Sequence, residues 1–396
     1  MMSKRLISSR TLLSKAVFVA ILSTPALISL NHTTAVSSEN RALADFPPRP
    51  RSWEGILKYP ASLDAWINDH FGLRDRLAKL NNRVRYALFR QFPTIQVIQG
   101  REGRIFLSAH ATTHEPYSAI LLPCGHGYDK ADQIAGQLNR FSKAARETGA
   151  DLRLLAVPSA PVLHADQLPG WLEDKCNSNP RPVPRILASP RLEASAKALV
   201  YYPEQEMLDL RRRTDIIPPN WFHWNGTGVG TVAQLSTHHF WRKDAEQATP
   251  VVTQKQHLQS DIAHLFPGVK LGSDIETIDF AASGITQCLG AGCFPELRSL
   301  ADKLVDVSRY RNPSGKDRLI LLSDSFGSQI SGWYARHFAE VVHLSTNNLD
   351  RLDKSEVAQL RGALFKHAGG SKILFLYHDG SLLYGRLGMD LDRLGL

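Results

Sequence analysis

Apolar residues recur along this chain at two different periods. Leu63, Trp66, Ile67 and Phe71, then Leu77, Leu80, Val84, Ala87 and Leu88, follow Ser62 at three-to-four spacing and predict helices. The same spacing predicts helices over Lys130 to Thr148, Arg191 to Lys197, Gly226 to Arg242 and Lys354 to His367, and another running from about Ser325 to Phe338. Between them lie short, continuous apolar runs: Leu152 to Val157, Ala198 to Tyr202, Arg318 to Leu322, Glu340 to Leu344 and Lys372 to Tyr377. Runs of this kind are strands buried on both faces, as in a parallel sheet covered by helices. Gly100-Arg-Glu-Gly103 reads as a turn into a further short strand, Arg104 to Leu107. Residues 108–128 have no clear period, and residues 245–315 read as irregular. The pattern predicts one α/β domain over residues 61–396 with a helical approach at its N-terminal side.

The start of the chain has a different character. Lys4, Arg5, Arg10 and Lys15 precede the apolar run Ala16 to Leu30. A basic segment followed by about 15 apolar residues is the layout of a signal peptide, and the run is shorter than the roughly 20 residues a span requires. Residues 1–40 are therefore read as a signal peptide or an uncleaved signal anchor holding the chain to the inner membrane. In both cases the rest of the chain lies outside the cytoplasm, in the periplasm or secreted. Residues 41–60 are proline-rich and read as an extended linker.

Composition narrows the class further. With 43% hydrophobic and 21% charged residues the chain is neither disordered nor fibrous. Its net charge of +9 becomes +6 without residues 1–40, which hold four basic residues and Glu39. Such a surface suits an acidic polysaccharide or an anionic membrane face. No dense Lys/Arg run interleaved with aromatics is present, so nucleic acid is not an expected partner. Cys124, Cys176, Cys288 and Cys293 are an even number in an exported chain, which favours disulfides; the glycines of Cys288-Leu-Gly-Ala-Gly-Cys293 would let that short loop close, leaving Cys124 with Cys176, with three connectivities formally open. Without a C-x-x-C pair or a completing histidine, no metal is expected, and no cofactor.

The segment Leu321-Leu-Ser-Asp-Ser-Phe-Gly-Ser328 carries the most chemistry. Ser325 falls just past a strand end, where ligands gather in open α/β sheets, and at the start of a helix that favours an oxyanion. That is where a serine nucleophile belongs; the alternative is that Asp324 or Ser325 simply caps the helix. Among 15 histidines, His223 has the best context for a base, on a loop entering a helix. Trp224 and Trp333 are candidates for stacking on a sugar, although tryptophan is more often core.

Five segments in order resemble the alginate O-acetyltransferase family of the AlgJ and AlgX type. They are Glu39 to Pro47, Asp69-His-Phe-Gly-Leu-Arg-Asp-Arg76, Gly100 to Leu107, His223-Trp-Asn225 against D-x-H-W-N, and Ser323-Asp-Ser-Phe326 against G-D-S-F. The resemblance implies an SGNH-hydrolase-like three-layer α/β/α fold with a parallel sheet, circularly permuted so that histidine precedes serine. It implies Ser325 as acyl-accepting nucleophile, His223 as base, a polysaccharide substrate, and a membrane-bound O-acyltransferase partner that supplies acetyl groups. Two positions depart from the pattern: the aspartate of D-x-H falls on Trp221, and the glycine of G-D-S-F on Ser323. Asn220 and Asp215 are the nearby polar residues left to orient His223. A catalytically impaired polysaccharide-binding protein of the same fold and a carbohydrate acetylesterase are the alternative functions.

Overall fold

A computed structural model describes residues 13–20, 44–70, 74–365 and 371–396. The chain divides into two compact units, one comprising residues up to Pro93 with Ala263–Lys270, the other Thr94–Ile262 with Leu271–Leu396.

The first unit is helical, with α1 at Trp53–His70 and α2 at Arg74–Phe89. Helix α1 begins well before Ser62, so residues 53–60, read from the sequence as extended, are helical instead. Pro60 lies inside α1 and removes one backbone donor. Helix α2 holds the segment 263–270: the Asn82 amide donates to the Pro267 carbonyl at 2.9 Å, and Arg83 Nε to that of Gly268 at 2.7 Å. Gly268 has φ +92°, and a Cβ there would overlap the Lys79 backbone. The expected signal in residues 1–40 lies largely outside the described residues.

In the second unit, chain order gives a hairpin of β1 (Val97–Gln99) and β2 (Ile105–Leu107), then β3 (Asp151–Val157) and β4 (Val200–Tyr201). After these come β5 (Val252–Gln259), β6 (Gly272–Asp279), β7 (Thr286–Leu289), β8 (Val307–Arg311), β9 (Arg318–Ser323), β10 (Glu340–Ser345) and β11 (Ser371–His378). The main sheet has the order β4-β3-β11-β9-β10-β8-β7. The first five strands are parallel, as their apolar runs predicted; β8 and β7 extend the sheet antiparallel. Residues 245–315 are therefore not irregular. They also form the separate antiparallel arm β5–β6, whose β5 is almost wholly exposed and polar.

Strand side chains alternate between two cores. Leu152, Leu154, Ile320, Leu322, Ile373 and Phe375 pack on one face, with α3 (Ala131–Thr148) among the covering helices. Leu155, Val157, Leu319, Leu321, Leu374 and Leu376 face the other, beneath α4 (Thr227–Trp241) and α5 (Gly327–Tyr334). The result is an α/β/α sandwich around a mostly parallel sheet. Disulfides join Cys124 to Cys176 and Cys288 to Cys293, as an oxidising compartment permits. Among the described residues no helix is long and apolar enough to cross a membrane.

Candidate active site

Strand β9 delivers Ser323-Asp-Ser-Phe326 to the carboxyl edge of the sheet, and neighbouring strands brace this turn. Ser323 is buried, which explains how a hydroxyl replaces the expected glycine: its Oγ donates to the Asp324 carbonyl at 2.7 Å and lies 2.8 Å from His343 Nε2 of β10. Burial lowers the pKa of His343, keeping it neutral, so its Nε2–H donates to that hydroxyl. At the next residue but three, a Cβ would fall on the Ser323 hydroxyl, so Gly327 is required there.

Asp324 is buried and fully used. Its Oδ1 accepts the Phe326 N–H at 2.9 Å, and its Oδ2 accepts the backbone N–H of His378 at 2.9 Å and His378 Nδ1–H at 2.7 Å. Burial opposes charge on both partners, but each ion outweighs it for the other. The carboxyl stays below its ordinary 3.8 and the imidazole above its ordinary 6.5. The carboxylate's contribution to stability is complete above 3.8 and lost as pH falls through the depressed folded value; the imidazolium's is complete below 6.5 and lost as pH rises through the raised one. His378→Asn leaves the carboxylate buried and uncompensated, an expected loss of about 3–5 kcal/mol. Urea unfolding across pH checks this. The gap between wild type and variant should be widest between pH 3.8 and 6.5 and shrink on either side.

Ser325, between these anchors, is half-buried. Among the described residues neither its hydroxyl nor its backbone N–H makes a hydrogen bond, leaving one free to react and the other free to donate to an oxyanion.

The loop from Ile217 to Gly226 approaches the same edge. Arg104, from the Gly100–Gly103 turn, is buried and donates to the Ile217 carbonyl at 2.8 Å, and the Ile105 N–H donates to that of Pro219 at 2.8 Å. Trp224 is fully buried, its indole N–H donating to the Phe326 carbonyl at 2.7 Å. It ties the loop to the serine turn and is no sugar platform; Trp333 is likewise core. The His223 ring lies 5.2 Å from that of Phe326, while Phe326 stacks at 4.7 Å on His378.

His223 has a carboxylate partner, though not the one the sequence suggested. Its Nδ1 lies 2.5 Å from Asp261 Oδ2, in the loop leaving β5. Both Asp261 oxygens also receive backbone N–H groups, from Phe222 at 3.0 Å and His223 at 2.9 Å. A carboxylate so placed fixes the Nδ1–H tautomer and leaves Nε2 as the basic nitrogen, buried and without a partner. Asn220 does not orient the histidine: its amide donates to the Gly272 carbonyl at 2.9 Å. Asp215 is exposed, and no bond to His223 joins it. Trp221 is buried and, with Phe106, Ala160, Phe222 and His378, walls a small cavity. Asp261 and His378 escaped the sequence reading, since neither stands in a spaced motif.

No family model and no curated protein matches the chain. Solved structures do show similarity. A Bacillus cereus PatB1 structure with a sulfonyl adduct is 14% identical over 64% of this chain and 90% of its own, with a TM-score of 0.42. A DHHW family protein from Eubacterium siraeum is 13% identical over 76% of this chain and 96% of its own, at 0.46. The O-acetyltransferase domain of Pseudomonas putida AlgJ is 13% identical over 72% and 92%, at 0.41.

Proposed function

We propose that this chain is an exported O-acyltransferase that moves acetyl groups onto polysaccharide hydroxyls through an acyl-enzyme on Ser325. The observation that carries the reading is the Asp261–His223 pair, with Nε2 unpartnered, at the sheet edge where Ser325 lies. His223 Nε2 takes the Ser325 hydroxyl proton as Oγ bonds to the acyl carbon, and returns it to the leaving group when the donor's acyl–oxygen bond breaks. The Ser325 N–H receives the carbonyl oxygen as it becomes anionic. In the second half a sugar hydroxyl loses its proton to His223, attacks the acyl carbon, and Ser325 departs with that proton. Ser–His contacts are often loose in unliganded enzymes and tighten with substrate, so the absence of a hydrogen bond between Ser325 and His223 here agrees with the reading.

The catalytically impaired alternative rested on Trp221, and Asp261 supplies the carboxylate that Trp221 cannot. The fold assignment proposed with this chemistry is SGNH-hydrolase-like with histidine before serine. Two disulfides support a periplasmic or extracellular location, and the donor is proposed to be an acetylated membrane-bound O-acyltransferase.

The test is to incubate the full chain with an activated acetyl ester, map any adduct by peptide mass, then add alginate stripped of acetyl groups. Acetyl on Ser325 that moves to polymer establishes transfer. Acetate released equally with and without polymer makes the protein an esterase. With neither adduct nor release, the acyl-enzyme reading fails.

A further inference from the structure

The two N-terminal helices present apolar side chains to solvent in an ordered way. On α1, Trp53, Ile56, Leu57 and Ile67 return to one side of the helix, and none of its residues is buried. Trp53 is 74% exposed and Leu57 64%. On α2, Leu77, Leu80, Val84 and Leu88 recur at i, i+3, i+7 and i+11, and Leu88 is 68% exposed. Isolated exposed apolar residues are ordinary, but two helices each with a full apolar stripe mark an interaction face.

The charge around these stripes indicates what covers them. Residues 49–90 hold nine Lys and Arg against Glu54, Asp64, Asp69 and Asp75, a balance of +5 out of the chain's +9. An acidic polymer in solution would satisfy that charge and leave the stripes wet. An apolar protein groove would bury the stripes and gain nothing from the charge. A bilayer with anionic headgroups satisfies both. Neither helix is apolar enough to cross a membrane. We propose that α1 and α2 lie on an anionic lipid surface, their apolar stripes at the acyl boundary and their basic side chains among the phosphates.

Fluorescence of the full chain with vesicles of phosphatidylcholine and phosphatidylglycerol tests this, reading Trp53 as the difference between wild type and Trp53→Phe. With the chain bound, the Trp53 emission should shift to the blue, lose its quenching by iodide, and be quenched about twofold or more when the lipid chains are brominated. Binding should weaken about tenfold or more on pure phosphatidylcholine or in 1 M salt. In the triple variant Leu57→Ser/Leu80→Ser/Leu88→Ser, whose altered side chains are exposed and whose helix content is checked against wild type by circular dichroism, the Trp53 shift should disappear. The proposal is overturned if Trp53 stays iodide-accessible while the chain sediments with the vesicles, because its first residues alone would then hold the membrane. It is equally overturned if the triple variant shows an undiminished shift.

Discussion

Asp261→Asn is expected to slow acyl transfer by about 10⁴ in kcat, the loss seen when a serine protease's buried aspartate becomes asparagine. The reason is local. Asp261 receives the His223 Nδ1–H at 2.5 Å, and an asparagine amide turned to that nitrogen would favour the other tautomer. The proton would then sit on Nε2, the atom that must accept it from Ser325. The amide oxygen still accepts the Phe222 N–H, but the His223 N–H, which bonds the other carboxylate oxygen, loses its acceptor, so a stability loss of about 1–3 kcal/mol should accompany the kinetic effect. The measurement is single-turnover acetylation of Ser325 followed by mass spectrometry, with urea unfolding of the variant alongside. Normal acetylation with Asp261→Asn would remove Asp261 from the mechanism; slowed acetylation with a stability loss well beyond that of one hydrogen bond would make it structural.

Ser325→Ala is expected to remove the adduct entirely and to lower turnover by about 10⁶, the scale of nucleophile loss in serine proteases. The hydroxyl makes no hydrogen bond among the described residues, so its removal should leave stability unchanged within about 0.5 kcal/mol. Folding therefore serves as the internal control. An acetyl group recovered elsewhere in the Ser325→Ala protein at wild-type rate would mean that another residue is the nucleophile.

Much of the sheet was legible because five of its strands are apolar on both faces and announce themselves without alternation. The places of the candidates Ser325 and His223 in the fold were legible for a related reason: each lies next to an element with a strong period. The β5–β6 arm was not. Val252-Thr-Gln-Lys-Gln-His-Leu-Gln259 buries almost nothing, so no hydrophobic signal marks it as a strand, and its stability comes from backbone pairing with β6. Asp261 follows that silent strand, 38 residues beyond the histidine it serves. Spacing along the chain cannot reveal a partner brought in by an antiparallel turn. His378 was hidden differently, as the last residue of a strand whose apolar run ends just before it. The early onset of α1 was masked by Pro60 and its proline-rich surroundings, which suggest extended chain more strongly than the weak periodicity of residues 53–60 suggests helix.

The two halves of the candidate site are held by different kinds of structure, and they should not fail together on heating. Ser325 rides on a central strand whose end is locked by β10 through His343 and by β11 through Leu376 and His378, so its position is lost only when the sheet melts. His223 stands on a loop secured by scattered hydrogen bonds to Arg104, Ile105, Asp261, Gly272 and Phe326, with no strand pairing to either side of it. Segments held in this way open locally at lower free energy than a core strand. Warming should accordingly produce a state in which His223 has left the site while Ser325 keeps its place, recoverable on cooling. Amide exchange at residues 220–226 ahead of residues 319–323 would record it, and simultaneous exchange of both segments would exclude it.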